Sequence, residues 1–112
     1  MNPGRQAEQI AAAYLRRKGL TLVETNYRCR RGEIDLVLRD RGTIVFAEVR
    51  LRRSHRFGGA AFSIDGRKQA RIIAAARHYL VGEKETPCRF DVVLLDRLEP
   101  SGVEWIRDAF ST

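Results

Sequence analysis

Two acids near the middle of the chain stand where a half-buried strand has no structural use for them. Within Gly32–Arg53, GEIDLVLRDRGTIVFAEVRLRR, the runs Ile34–Arg39 and Thr43–Leu51 alternate apolar and polar residues with the period of two expected of strands. Asp35 lies in the first run and Glu48 in the second. A tight hairpin at Asp40–Arg41–Gly42–Thr43, centred between Arg41 and Gly42, sets Asp35 opposite Glu48 and Glu33 opposite Arg50. Directly opposed residues have Cβ atoms roughly 4.5–5.5 Å apart, and like charges at that spacing repel. A cation between the two relieves the repulsion. With a backbone carbonyl and waters, two carboxylates can hold Mg²⁺ or Mn²⁺. Such a metal polarises a phosphoryl oxygen and lowers the pKa of a bound water.

The alternation also assigns faces. Ile34, Leu36 and Leu38 share one face of the first strand, with Glu33, Asp35 and Val37 opposite. In the second, Val45, Ala47, Val49 and Leu51 share a face, and Phe46, Glu48, Arg50 and Arg52 take the other.

The elements that must position these acids can be read in order. From about Arg5 to Lys18, Ala7, Ile10, Ala11, Tyr14 and Leu15 recur at helical spacing, and Gly19 stops the run. Glu8 borders that stripe, roughly 20° around the wheel from Leu15. Leu20–Arg28 reads as a strand, followed by a basic turn at Cys29–Gly32 and the hairpin. Residues 52–62 read as a glycine-containing loop; Arg50, Arg52, Arg53 and Arg56 concentrate positive charge there. A second helix follows, capped by Asp65 or Ser63, with Ile72, Ile73, Ala76, Tyr79 and Leu80 as its apolar stripe and Lys68 at its flank. Arg89–Asp96 suits a strand covered on both faces, and Val103–Arg107 reads as a short final strand before a tail. The helix between Leu51 and Arg89 permits parallel pairing of the later strand. The expected fold is therefore α/β: one domain over 1–112, a mixed sheet in the order helix, three strands, helix, two strands, with the helices covering it.

Composition narrows the function. The 112 residues carry a net charge of +7. Residues 1–80 hold seventeen Lys or Arg against seven Asp or Glu, whereas 81–112 hold four against seven. That asymmetry favours a polyanionic partner, nucleic acid first. No apolar run approaches the roughly 18–20 residues of a membrane span, and the N-terminus lacks the apolar core of a secretory signal. The expected location is the cytoplasm, with no membrane partner. Cys29 and Cys88 fit neither a disulfide framework nor a four-ligand zinc site.

The series Gly32-Glu33-Ile34-Asp35, then Phe46-Ala47-Glu48-Val49-Arg50, resembles the PD-(D/E)xK nuclease signature. With Asn26-Tyr27-Arg28, Phe57-Gly58, Lys68, Arg89–Val93 and Trp105–Phe110, the chain is similar over nearly its whole length to the YraN family of small bacterial proteins. That family in turn resembles archaeal Holliday-junction resolvases. The resemblance implies a restriction-endonuclease-like core and a metal-dependent endonuclease acting on DNA rather than RNA, branched or single-stranded. It implies a catalytic set of Glu8, Asp35, Glu48 and Arg50, with Glu8 joining Asp35 and Glu48 at the metal, and it suggests a homodimer. Arg30, Arg31, Arg52, Arg53, Arg56, Lys68 and Arg71 are the expected nucleic-acid contacts.

One position departs from the pattern: Arg50 stands where lysine is called for. Arginine stays charged and cannot take a proton, although it can stabilise developing negative charge. Arg50 also reads as the ion-pair partner of facing Glu33. Lys68 has two readings, a replacement for the missing lysine or a phosphate-binding surface lysine. The alternative function is accordingly a nucleic-acid-binding module with impaired catalysis. His55, His78 and Cys88 lack the partners of metal or nucleophilic sites, and Tyr27 and Phe57 read as packing aromatics before base-stacking ones.

Overall fold

Local signals start and stop the first helix, which begins two residues before the expected Arg5. The Asn2 side-chain oxygen accepts the Arg5 N–H at 2.8 Å, and α1 runs Pro3–Arg17 with proline in its first turn. Gly19, at φ 100°, supplies the left-handed residue that ends it. The computed structural model describes residues 2–52, 64–83 and 85–112, so Arg53, His55, Arg56, Phe57 and the alternative cap Ser63 lie outside the described residues. Strands β1 (Thr21–Cys29), β2 (Gly32–Asp40) and β3 (Thr43–Leu51) follow. Next comes α2 (Gly66–Tyr79), where Asp65 is the cap and accepts the Lys68 N–H at 2.9 Å. The chain finishes with β4 (Cys88–Leu95) and β5 (Val103–Phe110). The last strand outruns the expected Arg107 because Phe110 pairs with Phe90 and their rings stack at 5.0 Å.

The five strands form one mixed sheet in the order β1-β2-β3-β4-β5. β3 and β4 run parallel, from Ile44↔Cys88 to Leu51↔Leu95, and the remaining pairs are antiparallel. The hairpin has the expected register, with Asp40↔Thr43, Val37↔Phe46 and Leu36↔Ala47 as partners. The architecture is the α/β fold inferred above, and it is compatible with a nuclease-like core.

Each helix covers one face of this sheet. Ala7, Ala11, Ala12 and Leu15 of α1 pack on Leu36, Leu38, Val45, Ala47, Val93 and Leu95. Ile72, Ala75 and Ala76 of α2 pack on Ile34, Val37, Ile44, Phe46, Phe90, Val92 and Leu94. Both faces of the central strands are buried, and each large aliphatic or aromatic side chain so covered contributes about 1.5–3 kcal/mol. The face holding Phe46 and Glu48 is thus not a solvent face; α2 lies over it.

Ile34 corrects the expected alternation. It belongs to the α2 core with Val37, not to the α1 core with Leu36 and Leu38. Strand parity breaks between Ile34 and Leu36, and Asp35 sits at the break.

Gly32 sets how closely α2 can approach. A Cβ there would lie 2.4 Å from the Arg71 carbonyl oxygen, a backbone atom that cannot swing aside. Gly32→Ala is expected to lift the helix from the sheet and cost about 1–3 kcal/mol, as overpacking does. Urea unfolding measures this; a variant as stable as the parent would show that the helix seat is not fixed at Gly32.

Candidate metal centre

The break at Asp35 is a site where the sheet opens. The β2–β3 partners extend no further than Leu36↔Ala47, and beyond them the Val49 N–H donates to Asp35 Oδ2 at 2.9 Å. A side-chain carboxylate has taken an acceptor position that the neighbouring strand's backbone would otherwise fill. Glu48, 5% exposed, hydrogen-bonds Asp35 from β3. Burial first, then the charge of Glu48 and its hydrogen bond, push the Asp35 carboxyl up to about 7 from an ordinary 3.8. Two acids on adjacent strands meet as the hairpin register requires.

Two cations converge on the same acid. Arg50 Nη2 lies 3.2 Å and Lys68 Nζ 3.4 Å from Glu48 Oε2. Lys68 comes from the first turn of α2, close to the Asp65 cap that fixes its backbone. The expected Glu33–Arg50 pair is not formed: Glu33 pairs with Arg28 at 3.2 Å, while Arg50 turns to Glu48 on its own strand. Parity explains the correction, because the break at Asp35 removes Glu33 from a position facing Arg50. Arg50 Nε is buried and has no hydrogen-bond partner.

Glu8 is close enough for the charge of Asp35 to raise its pKa, although burial is the larger cause. Its Oε1 accepts from Asn26 Nδ2 at 3.1 Å. Asn26 holds a left-handed backbone, φ 52°, on the strand beside Asp35. Among the described residues no three His, Cys, Asp or Glu side chains converge at metal-holding distance, and Glu8 is a neighbour of the acid pair. The donor set still suits Mg²⁺ or Mn²⁺. Mg²⁺ in particular is commonly held by one or two carboxylates and keeps several waters.

Of the expected nucleic-acid contacts, Arg30 and Arg71 line one shallow recess beside Gly32, and Arg31 lines a second with Arg77 and His78. Arg30, Arg31 and Arg71 are exposed. Arg52 is a correction. It is bound to Asp96 at 2.8 Å and Glu104 at 3.2 Å with its side chain only 15% exposed, because the ends of β3, β4 and β5 bring these acids to it. Arg53 and Arg56 lie outside the described residues. Tyr27 packs edge-on against Tyr79 and hydrogen-bonds His78, the packing role expected of it. Burial raises the Cys88 pKa, the opposite of what a thiolate nucleophile requires.

Comparison with known proteins agrees with the YraN resemblance. The profile described as uncharacterised protein family UPF0102 matches residues 7–95. The chain belongs to the UPF0102 family. This is the family to which the YraN resemblance points. A UPF0102 protein of Nitrosomonas europaea is 58% identical over 110 residues, covering 97% of this chain and 93% of the relative. Another, from Cupriavidus taiwanensis, is 56% identical over 109 residues, covering 96% of this chain and 81% of the relative. One from Pseudomonas aeruginosa is 50% identical over 113 residues, covering 96% and 90%. The UPF0102 match spans Glu8, Asp35, Glu48, Arg50 and Lys68 together.

Sequence reasoning found Asp35 and Glu48 but missed Asn26, whose partner is the acid it singled out. It also passed over Asp91, fully buried on β4. The signal was present: an acid inside the Val-Val-Leu-Leu strand needs partners. No helix among the described residues is long and apolar enough to cross a membrane.

Proposed function

We propose that this chain is a metal-dependent endonuclease of the PD-(D/E)xK type that hydrolyses phosphodiesters in DNA, branched or single-stranded. The single observation that carries this reading is Lys68 Nζ at 3.4 Å from Glu48 Oε2. It returns to the acid the ammonium group that Arg50 removed from the strand. Asp35 and Glu48 would hold Mg²⁺ or Mn²⁺, which when bound supplies Lewis acidity and an activated water. Asp35 is oriented by the Val49 N–H, and Glu8 with Asn26 borders the water around the pair. Lys68, a compact ammonium donor, orients the attacking water. Arg50, permanently charged, stabilises the negative charge developing on the phosphoryl oxygens. Arg30, Arg31 and Arg71 supply an exposed basic surface for the polynucleotide backbone.

Branched, flap, single-stranded and duplex DNA should be incubated with each metal and with the Lys68→Ala and Arg50→Lys variants. Lys68→Ala is expected to lower kcat by about 10²-fold or more, the scale of losing one preorganised donor, whereas Arg50→Lys retains cutting. Salt-sensitive binding without hydrolysis of any substrate would sink this reading and leave the second one, a binding module without catalysis. Arg50 is the observation favouring that second reading, since it holds one of the acids a metal needs.

A further inference from the structure

The end of the sheet away from the acid pair holds a different constellation. Lys18 at the close of α1, Arg41 at the β2–β3 turn, Arg89 on β4 and Arg107 on β5 line an open recess of about 640 Å³, with Asp40 and Trp105 also in its wall. Asp40 lies five strand positions from Asp35, roughly 16 Å along β2. The two sites are therefore separate.

The acids at this corner are already committed. Asp40 Oδ2 accepts Arg89 Nη1 at 2.9 Å and Arg107 Nη2 at 3.2 Å. Asp91, fully buried, accepts Arg89 Nε, the Trp105 indole N–H and the Asp108 N–H. Arg89 Nη2 is left buried without a hydrogen-bond partner. Lys18 and Arg41 are exposed and form no ion pair among the described residues. Four cations therefore face two carboxylates, Asp40 and the buried Asp91, and the net charge of +2 is balanced by one phosphate monoester or by two successive phosphodiesters of a strand.

Backbone strain is stored at the same corner. Arg41 holds φ 59°, a region that glycine enters freely and a Cβ-bearing residue enters at a cost. Gly42 stands next to it, so the turn carries an arginine at the position where glycine would be cheapest. The two-residue hairpin turn imposes that φ, and the arginine kept there adds to the positive charge of the recess.

We infer that this recess is a second, phosphate-ester-binding site. Its ligand is the phosphate of a nucleotide, met either on a free mononucleotide or in a nucleic-acid strand. Guanidinium forks and an ammonium match phosphate oxygens by charge and geometry. The assignment does not depend on metal-dependent hydrolysis at the acid pair.

Trp105 is the chain's one tryptophan and lines the recess, so its fluorescence reports occupancy directly. Titration with thymidine monophosphate and with a short oligothymidylate should give a saturable change with at least one of them. Response to the mononucleotide identifies a free ligand as sufficient, and response to the oligonucleotide alone identifies a strand. Arg41→Gly is expected to melt higher than the parent, since it relieves the turn, and yet to bind about tenfold more weakly. Lys18→Ala should weaken binding, with a melt lowered only by the loss of its cation–π contact with Tyr14. Asp35→Asn should leave the Trp105 response intact while abolishing metal-dependent cutting, so the failure of one site does not mimic that of the other. No Trp105 response to either ligand, an equal response to acetate, or undiminished affinity in the Arg41→Gly, Lys18→Ala double variant would overturn the assignment.

Discussion

Asp35→Asn is expected to melt at a higher temperature than the parent at pH 8, and to lose divalent-cation binding. The parent chain at that pH must keep two carboxylates charged on adjacent strands. Asp35 is raised to about 7, above its ordinary 3.8, so the folded state holds a proton that the unfolded chain releases. The contribution is fully present below the unfolded value. It is lost as pH rises from near 3.8 to about 7, and above that the folded protein carries the full repulsion. Each pKa unit is about 1.4 kcal/mol, so the loss amounts to a few kcal/mol, softened by Lys68 and Arg50 beside Glu48. Asparagine keeps an oxygen for the Val49 N–H and removes the charge. A gain of about 1–2 kcal/mol, or roughly 5–10 °C, is expected at pH 8, with little gain at pH 4. Mn²⁺ should raise the parent's melting temperature at pH 8 and leave the variant unmoved. Circular-dichroism melts at the two pH values, with and without Mn²⁺, read all of this. A parent equally stable at both, or a variant less stable at pH 8, would contradict the account of the pair.

Asp91→Ala is expected to have the largest cost to stability, about 3–5 kcal/mol, the scale for breaking a buried ion pair from one side. Asp91 is 0% exposed and accepts from Arg89 at 3.1 Å, Trp105 at 2.9 Å and the Asp108 N–H at 2.9 Å. Alanine would strand three donors and leave the Arg89 guanidinium, 15% exposed, with Asp40 alone. Such a loss is a large share of the roughly 5–15 kcal/mol that holds a domain together. Asp91→Asn should fall between, since an amide oxygen can still accept from Trp105 but offers Arg89 no charge. Guanidinium unfolding with both variants gives the numbers. A cost under about 1 kcal/mol for alanine would mean that β5 does not hang on this acid.

The fold was legible because its signals are local. Period-two alternation, the helix stop at Gly19, the cap at Asp65 and a two-residue turn each depend on neighbours in the chain. The acid pair was legible for the same reason, since a hairpin converts spacing into contact. Ile34 was not, because a break in parity is invisible to a rule that assumes strict alternation. The same break redirected Arg50 from Glu33 to Glu48. Lys68 stayed ambiguous because its reach depends on how closely α2 sits, which is decided by the absence of a Cβ at Gly32. The basic recess was out of range altogether. Lys18, Arg41, Arg89 and Arg107 come from four elements, and only the parallel crossover brings the last two beside the others.

The opening at Asp35 also bears on the order in which the chain can fold. Asp35 and Glu48 are joined by a two-residue turn, so loop closure brings them together early, on the microsecond scale of hairpins. The parallel pairing of Ile44 with Cys88, and the docking of α2 that delivers Lys68, close much longer loops and come later. For that interval the hairpin carries two facing acids without the ammonium that will offset them. The acid pair is thus a kinetic burden on the nascent sheet. Acid or a divalent cation should speed refolding by relieving it.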